Sequence, residues 1–194
     1  VLVEDDPSLY SHYIPLIYRE IITRTRDLLP QGASKEEKLC RLKARTKLFL
    51  ATDFEGAMDY IKRYGDYICG VITDLQFPID GKIDLEAGIK LTRFIKGAYP
   101  RIPIIVQSKD RTMRDLSHEA GAYFIWKQSD HLLSELYNFM LDYFGFGDFI
   151  FREPSGREIT RAGDLIDLYT AIAKIPIESF NYHILNDHFS TWLF

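Results

Sequence analysis

The stretch GVITDLQFP, residues 70–78, places a charged residue directly after an apolar run. Residues 71–73 are apolar or β-branched and are typical of a buried strand. Asp74 follows at once, and Pro78 closes a short loop. An aspartate at such a point is a turn former, a metal ligand or a nucleophile. The polar residues at the ends of the other strands decide among these three roles.

The composition indicates a globular protein. The chain has 194 residues, of which 46% are hydrophobic and 27% charged, which favours one domain with an extension or two small domains. The net charge of −4 argues against a nucleic-acid-binding surface. No apolar run reaches transmembrane length, and neither a signal peptide nor a CxxC pair is present, so we expect a cytoplasmic protein without a membrane partner.

Five apolar strands alternate with helices along the chain. The predicted strands are residues 1–3, 46–52, 67–73, 102–108 and 122–127, and each precedes a stretch with helical periodicity. Residues 75–84 between the third strand and its helix are predicted to be a loop. Alternation of this kind is typical of a parallel sheet covered on both faces. We therefore predict an α/β fold with a doubly wound, five-stranded parallel sheet of the flavodoxin-like order 2-1-3-4-5.

Two segments lie outside this repeating pattern. An insertion at about residues 20–46 contains the capping box of Ser34 and Glu37. Basic residues outnumber acidic residues in this region, and the insertion is interpreted as a solvated helix rather than a contact for nucleic acid. The sequence Gly145-Phe146-Gly147 predicts a boundary between a domain of residues 1–144 and an extension or linker of residues 145–194. The extension is predicted to be helical, with one helix near residues 161–174 and another from Pro176.

Polar side chains are predicted at the carboxyl ends of four strands. Glu4 and Asp5 follow the first strand, Asp74 the third, Ser108 the fourth and Lys127 the fifth. Ligands bind at these strand ends in open α/β sheets. Three crowded carboxylates favour Mg²⁺, and the metal, the hydroxyl and the ammonium together can neutralise a phosphoryl group during transfer. Asp74 is then the natural nucleophile.

The ordered set of these residues resembles the receiver domain of bacterial two-component response regulators. LVEDDP resembles the acidic pair after the first strand, and DLQFP resembles the phosphoacceptor loop. PIIVQS resembles the fourth strand with its Ser or Thr switch, and AGAYFIWK resembles the approach to the lysine. The resemblance covers about residues 1–144.

The resemblance implies a role for each residue. Asp74 is implied to be the phosphoacceptor, and Ser108 and Lys127 are implied to contact the phosphoryl group. The implied Mg²⁺ ligands are Asp5 directly, Glu4 through water, Asp74 and the backbone carbonyl of Gln76. Ser108 and Phe124 are implied to form the switch.

The same resemblance implies the partners. A histidine kinase or phosphotransfer protein would supply the phosphoryl group, and an attached output region or a partner protein would receive the signal. The only catalysis expected is self-phosphotransfer and autodephosphorylation, so we do not expect an enzyme in the usual sense. No nucleic acid is expected to bind, and homodimerisation is left open.

Some residues depart from the family pattern and keep other functions open. The loop after Pro78 is stretched, Lys109 follows the switch serine, and Gln128 follows the lysine in place of a proline. These departures favour a non-phosphorylated pseudo-receiver as an alternative, acting as a protein interaction module. A phosphatase of the haloacid dehalogenase type would need a second aspartate at Gln76, and an FMN-binding flavodoxin is a further alternative. The extension also weakly resembles a segment that precedes a phosphoenolpyruvate synthase-like region.

Overall fold

The computed structural model describes residues 1–27, 34, 36 and 46–193. Within it the chain forms two compact units, Val1–Tyr137 and Asn138–Phe194. The predicted boundary after residue 144 lies a few residues beyond this division and stays a prediction as a domain limit. Glu37 of the predicted capping box, and most of the predicted insertion, lie outside the described residues.

The first unit contains a five-stranded parallel sheet. The elements in chain order are β1 (Leu2–Val3), α1 (Pro7–Asp27), β2 (Leu50–Ala51), α2 (Phe54–Tyr64), β3 (Val71–Asp74), β4 (Phe77–Ile79), β5 (Lys82–Asp84), α3 (Ala87–Ala98), β6 (Ile104–Ser108), α4 (Arg114–Glu119), β7 (Tyr123–Trp126) and α5 (Leu132–Tyr143), which runs on into the second unit. The strand order is β2-β1-β3-β6-β7, and every pairing in this sheet is parallel. The predicted fold class and the order 2-1-3-4-5 are confirmed.

Both faces of this sheet are buried. Alternate residues of a strand point to opposite faces, so Val71 and Ile72 belong to different layers of the core. One layer includes Val3, Val71, Ile104 and Val106. The opposite positions are equally buried, with Leu2, Ile72 and Ile105 at most 2% exposed. Two-sided burial explains why the strands are continuous apolar runs without polar alternation.

Helix α1 begins at Pro7, with Asp6 as the residue that caps it. Asp6 Oδ1 accepts a hydrogen bond from the Ser8 N–H at 2.8 Å, and Pro7 occupies the first helical position. The helix continues through Pro15 to Asp27 and buries Ile17 on its inner side. Among the described residues, no helix combines the length and apolarity needed to cross a bilayer.

The predicted loop at residues 75–84 contains a β-hairpin instead. Strands β4 and β5 pair in antiparallel fashion, with Ile79 opposite Lys82. The two residues between them, Asp80 and Gly81, have φ angles of 50° and 73°. Positive φ at both positions is the conformation of a type I′ turn, for which Asp-Gly is a preferred pair. The extra residues near Pro78 therefore form regular structure beside the strand end that carries Asp74.

The second unit combines a hairpin with helices. Its elements after α5 are β8 (Phe149–Arg152), β9 (Glu158–Ala162), α6 (Leu165–Ile172), α7 (Ile177–Leu185) and α8 (His188–Leu193). The predicted helices are present, but the first begins later than predicted because residues 158–162 are a strand. Asp164 caps α6 by accepting from the N–H groups of Ile166 and Asp167. Phe149, Phe151 and Trp192 form the buried core of this unit.

Helix α7 holds the end of strand β8 through two side chains one turn apart. Ser179 donates its hydroxyl to the Arg152 carbonyl at 2.8 Å, and the Arg152 N–H donates to His183 Nε2 at 2.8 Å. His183 is 2% exposed, and its accepting Nε2 leaves the proton of the neutral ring on Nδ1. Nδ1 therefore donates to His188 Nδ1, which lies 2.9 Å away. Burial and the neighbouring His188 lower the pKa of His183 from 6.5 to about 4.

The hydrogen bonds of Ser179 and His183 to Arg152, together called the clamp, predict a loss of protein stability at acidic pH. A histidine whose pKa is depressed by folding contributes stability that is present above pH 6.5 and is lost as the pH falls toward 4. We expect the free energy of unfolding of the wild type to fall over that interval, as measured by urea unfolding. His183→Gln should be less stable at pH 7 and should show a weaker pH dependence. The matched variant His118→Gln, at an exposed position in α4, should retain the wild-type slope; an equal change in both variants would contradict the assignment.

Candidate functional site

The carboxyl ends of neighbouring strands bring most of the predicted site residues together. Glu4 and Asp5 directly follow β1, Asp74 ends β3, and Lys127 directly follows β7. Ser108 ends β6, which lies between β3 and β7. In a parallel sheet these ends meet at one edge, so residues far apart in sequence share one crevice.

Lys127 joins two of the carboxylates. Its Nζ lies 2.8 Å from Glu4 Oε2 and 2.6 Å from Asp74 Oδ2. The side chains of Lys127 and Glu4 are 4% and 1% exposed, while that of Asp74 is 13% exposed. A buried charge is tolerated only when it is paired, so each of these groups depends on the others. Asp74 is the partner that solvent reaches most easily.

The environment of Glu4 opposes its ionisation. Burial and the neighbouring charge of Asp74 raise the pKa of Glu4 from 4.5 to about 7, against the opposite effect of Lys127. One ammonium therefore does not offset two carboxylates in this crevice. A second positive charge would stabilise the ionised form of Glu4.

The acidic side chains fit a hard divalent cation. Glu4, Asp5 and Asp74 each offer a carboxylate oxygen, and these oxygens all lie within 4.8 Å of one another. Mg²⁺ prefers oxygen ligands and is usually bound by one or two carboxylates. Together with the backbone carbonyl predicted at Gln76, these residues would hold the ion. Whether they bind it stays a prediction.

The backbone around Asp74 orients its carboxylate. The Leu75 N–H donates to Asp74 Oδ1 at 2.6 Å and to the Gln107 carbonyl at 2.9 Å, which fixes the chain as it leaves the strand. The Gly88 N–H in α3 donates to the Leu75 carbonyl. A Cβ at Gly88 would lie 2.2 Å from the Asp74 carbonyl oxygen, so only glycine permits this approach.

Ser108 ends strand β6, and the chain there is hydrogen-bonded to the neighbouring strand β7 and the residue after it. Its Oγ accepts from the Asp110 N–H at 3.0 Å, and its carbonyl accepts from the Lys127 N–H at 2.8 Å. The next carbonyl, of Lys109, accepts from the indole N–H of Trp126 at 3.0 Å. Trp126 was not among the predicted site residues, although it directly precedes Lys127 in the sequence.

The predicted aromatic switch residue has a cationic neighbourhood. Phe124 is half-buried, and the Arg114 guanidinium lies 5.8 Å from its ring centroid. The Arg111 guanidinium lies 3.5 Å over the Trp126 ring, a cation–π contact. Lys109 is exposed, as is Gln128. The switch roles of Ser108 and Phe124 stay predictions.

The close approach of α3 to Asp74 predicts that a larger residue at Gly88 destabilises the protein. Gly88→Ala should lower the free energy of unfolding by about 1–3 kcal/mol, because the added methyl group overlaps the Asp74 carbonyl. Gly97→Ala is the matched control in the same helix, where nothing lies within 4 Å of the added Cβ. It should raise stability by up to about 1 kcal/mol through helix propensity. Chemical denaturation measures both, and equal effects would refute the contact.

The raised pKa of Glu4 predicts a pH dependence of stability in the absence of metal. A carboxyl group whose pKa folding raises contributes stability that is present below pH 4.5 and is lost as the pH rises through about 7. In EDTA, the unfolding free energy of the wild type should therefore decline over this interval relative to that of Glu4→Gln. Glu119→Gln, an exposed position in α4, should follow the wild type. A constant difference between wild type and Glu4→Gln would show that folding leaves the Glu4 pKa unshifted.

Comparison with known proteins gives likeness at the level of the fold. No protein-family model and no curated protein matches the sequence. Among solved structures, the chain is similar to a two-component response regulator of the LuxR family from Aurantimonas sp. SI85-9A1, with 19% identity, coverage of 89% of this chain and 96% of that chain, and a TM-score of 0.48. It is also similar to the phosphorylated cyanobacterial phytochrome response regulator RcpA, with 18% identity, 73% and 90% coverage, and a TM-score of 0.46. The strand order itself is the flavodoxin-like order that receiver domains share, so the first unit has the fold expected of a receiver.

Proposed function

We propose that the first unit is a phosphoacceptor signalling domain in which Asp74 receives a phosphoryl group. The observation that carries this proposal is the crevice itself, where three carboxylates lie within 4.8 Å and Lys127 lies 2.6 Å from Asp74. A histidine kinase or phosphotransfer protein of the cytoplasm is the proposed donor. The proposed receiver of the signal is an attached output region or a partner protein, with homodimerisation as one form of output.

The proposed reaction is a displacement at phosphorus. A carboxylate oxygen of Asp74 forms a bond to phosphorus while the bond from phosphorus to the donor's imidazole nitrogen breaks, and the electron pair leaves with that nitrogen. The product is an acyl phosphate on Asp74. Lys127 is already beside the Asp74 carboxylate and so would offset charge on the phosphoryl oxygens. Bound Mg²⁺ would supply further positive charge at Glu4, Asp5 and Asp74.

The modified site would differ from the unmodified one mainly in charge. A phosphoryl group brings a charge of about −1.5 to −2 and three acceptor oxygens into the crevice. The Ser108 hydroxyl is a potential donor at the end of the neighbouring strand, and the next residue, Lys109, accepts from the Trp126 indole N–H. Movement of Ser108 would therefore reach the surface that carries Phe124, which is the proposed route of the signal.

A non-phosphorylated interaction module is the second candidate. Lys127 already pairs with both Glu4 and Asp74, so the site holds its own counter-ion without a metal. The exposed Lys109 and the hairpin beside Asp74 also favour this alternative. Catalytic turnover of a phosphate ester is not part of either proposal, because Gln76 stands where a phosphatase of this chemistry needs its second aspartate.

Acetyl phosphate with Mg²⁺ tests the proposal. Intact-mass spectrometry should show one added phosphoryl group on the wild type and none on Asp74→Asn, which lacks the nucleophilic oxygen. Asp66→Asn, at an exposed position, is the control and should be modified like the wild type. Omitting Mg²⁺ should abolish the reaction in both.

The two candidates give opposite results in a second measurement. Addition of beryllofluoride and Mg²⁺ should change the fluorescence of Trp126, measured in a Trp192→Phe background, if the site accepts a phosphoryl group. A chain that is neither modified nor perturbed would support the interaction module instead. Modification of Asp74→Asn would place the phosphoacceptor elsewhere and refute the assignment.

A further inference from the structure

Tyr13 is a buried residue of α1 whose hydroxyl lacks a partner. Its side chain is 1% exposed, and its Oη makes no hydrogen bond to any residue that the structure describes. Burying a hydroxyl without a partner costs free energy, and most native structures avoid it. Such a group indicates a function that the resting arrangement does not show.

The Tyr13 hydroxyl is close enough to the acidic crevice to be influenced by the charges of its carboxylates. Glu4 and Asp74 share one face of the sheet, because Leu2 pairs with Ile72 and side chains alternate along each strand. Burial, followed by the charges of Glu4, Asp74 and Asp6, raises the pKa of Tyr13. The phenol therefore remains protonated and keeps a proton that it can donate in a hydrogen bond.

Glu4 is an acceptor with spare capacity. Its Oε2 takes the hydrogen bond from Lys127 at 2.8 Å. The only other hydrogen bond to it in the described part of the chain is from the Asp6 N–H to Oε1, at a long 3.4 Å. A carboxylate accepts about four hydrogen bonds in favourable surroundings. An unpartnered donor and an incompletely used acceptor thus lie in the same buried region.

We propose that Tyr13 is a positioning residue of this site, whose hydroxyl donates to Glu4 when a bound cation or phosphoryl group draws Lys127 away. The exchange keeps the buried Glu4 carboxylate hydrogen-bonded in both states. It also fixes the orientation of Glu4 toward a cation. This inference rests on the proposed function to the extent that the site binds Mg²⁺.

Gln107 is the rival acceptor. Its side chain lies on the strand next to Asp74 in register, is 1% exposed, and leaves both amide atoms without a partner among the described residues. A hydroxyl that turned to the Gln107 side-chain oxygen would give the Tyr13 O–H an acceptor and that oxygen a donor, and would leave Glu4 unaffected. The test therefore includes a variant of each residue.

Tyr13→Phe removes the hydroxyl and keeps the ring. In EDTA, the variant should unfold at the same or a higher temperature than the wild type, because no hydrogen bond is lost. Isothermal titration of the full chain with Mg²⁺ should show a dissociation constant about tenfold larger, the loss expected for one hydrogen bond to a charged group. Tyr18→Phe, at a 38% exposed position of the same helix, should match the wild type in both measurements.

Stability in EDTA and affinity for Mg²⁺ together distinguish a positioning role of Tyr13 from a packing role. A Tyr13→Phe variant that binds Mg²⁺ within twofold of the wild type overturns the inference and leaves the proposed function intact. A variant that is clearly less stable in EDTA shows that the hydroxyl already has a partner, and also overturns it. An equal loss of Mg²⁺ affinity in Gln107→Met assigns the hydroxyl to the amide and overturns it too. A wild type that takes up no Mg²⁺ refutes the metal-dependent proposal and this inference together.

Discussion

The Lys127 ammonium lies between the carboxylates of Glu4 and Asp74, and the geometry of the crevice depends on this buried triad. The pair of Lys127 and Glu4 joins residues 123 positions apart in sequence. Three strand ends, those of β1, β3 and β7, are thereby connected at one edge of the sheet. Removal of Lys127 would leave two carboxylates in a poorly hydrated place without their shared cation, whereas removal of one carboxylate leaves Lys127 paired with the other.

A divalent cation would compete with Lys127 for the carboxylates of this triad. The carboxylates need positive charge, and Lys127 is shared between two of them. Burial and the neighbouring charge of Asp74 raise the pKa of Glu4, so it ionises less readily than an ordinary glutamate. A divalent cation would have to displace part of this arrangement or share it. The affinity of the crevice for a cation therefore depends on the difference in free energy between the contacts that the carboxylates make with the cation and those that they make with Lys127. A strong ion pair with Lys127 in the free protein lowers that affinity.

Patterns of apolar residues predicted the sheet because both of its faces are buried, so each strand appears as a continuous run. The site residues were predictable for a related reason: the ends of parallel strands meet, whatever the length of chain between them. The β4–β5 hairpin was missed although Asp80-Gly81 signals a type I′ turn, because the neighbouring Pro78 and Asp84 favoured a loop. Strand β9 was missed because its last two residues, 161 and 162, were assigned to the helix that follows Asp164.

The contact between Lys127 and Glu4, and the unpartnered hydroxyl of Tyr13, could not be predicted from the pattern. The first depends on side-chain directions at two strand ends, and the second on how the buried side of α1 packs. Tyr13 occupies an apolar position of its helix, and an aromatic residue there is ordinarily a core residue. Only the place of its hydroxyl, which is fixed by tertiary packing, distinguishes it from Ile17 one turn later.

The clamp on Arg152 has a consequence for association between chains. A two-stranded ribbon such as β8–β9 has two edges, and unpaired N–H and C=O groups on an edge are a template for a strand of another molecule. Ser179 and His183 bind the carbonyl and the N–H of Arg152 through their side chains, as a third strand would through its backbone. At this residue the ribbon therefore offers no hydrogen-bonding groups to an extended chain, and α7 protects the protein against edge-to-edge aggregation there.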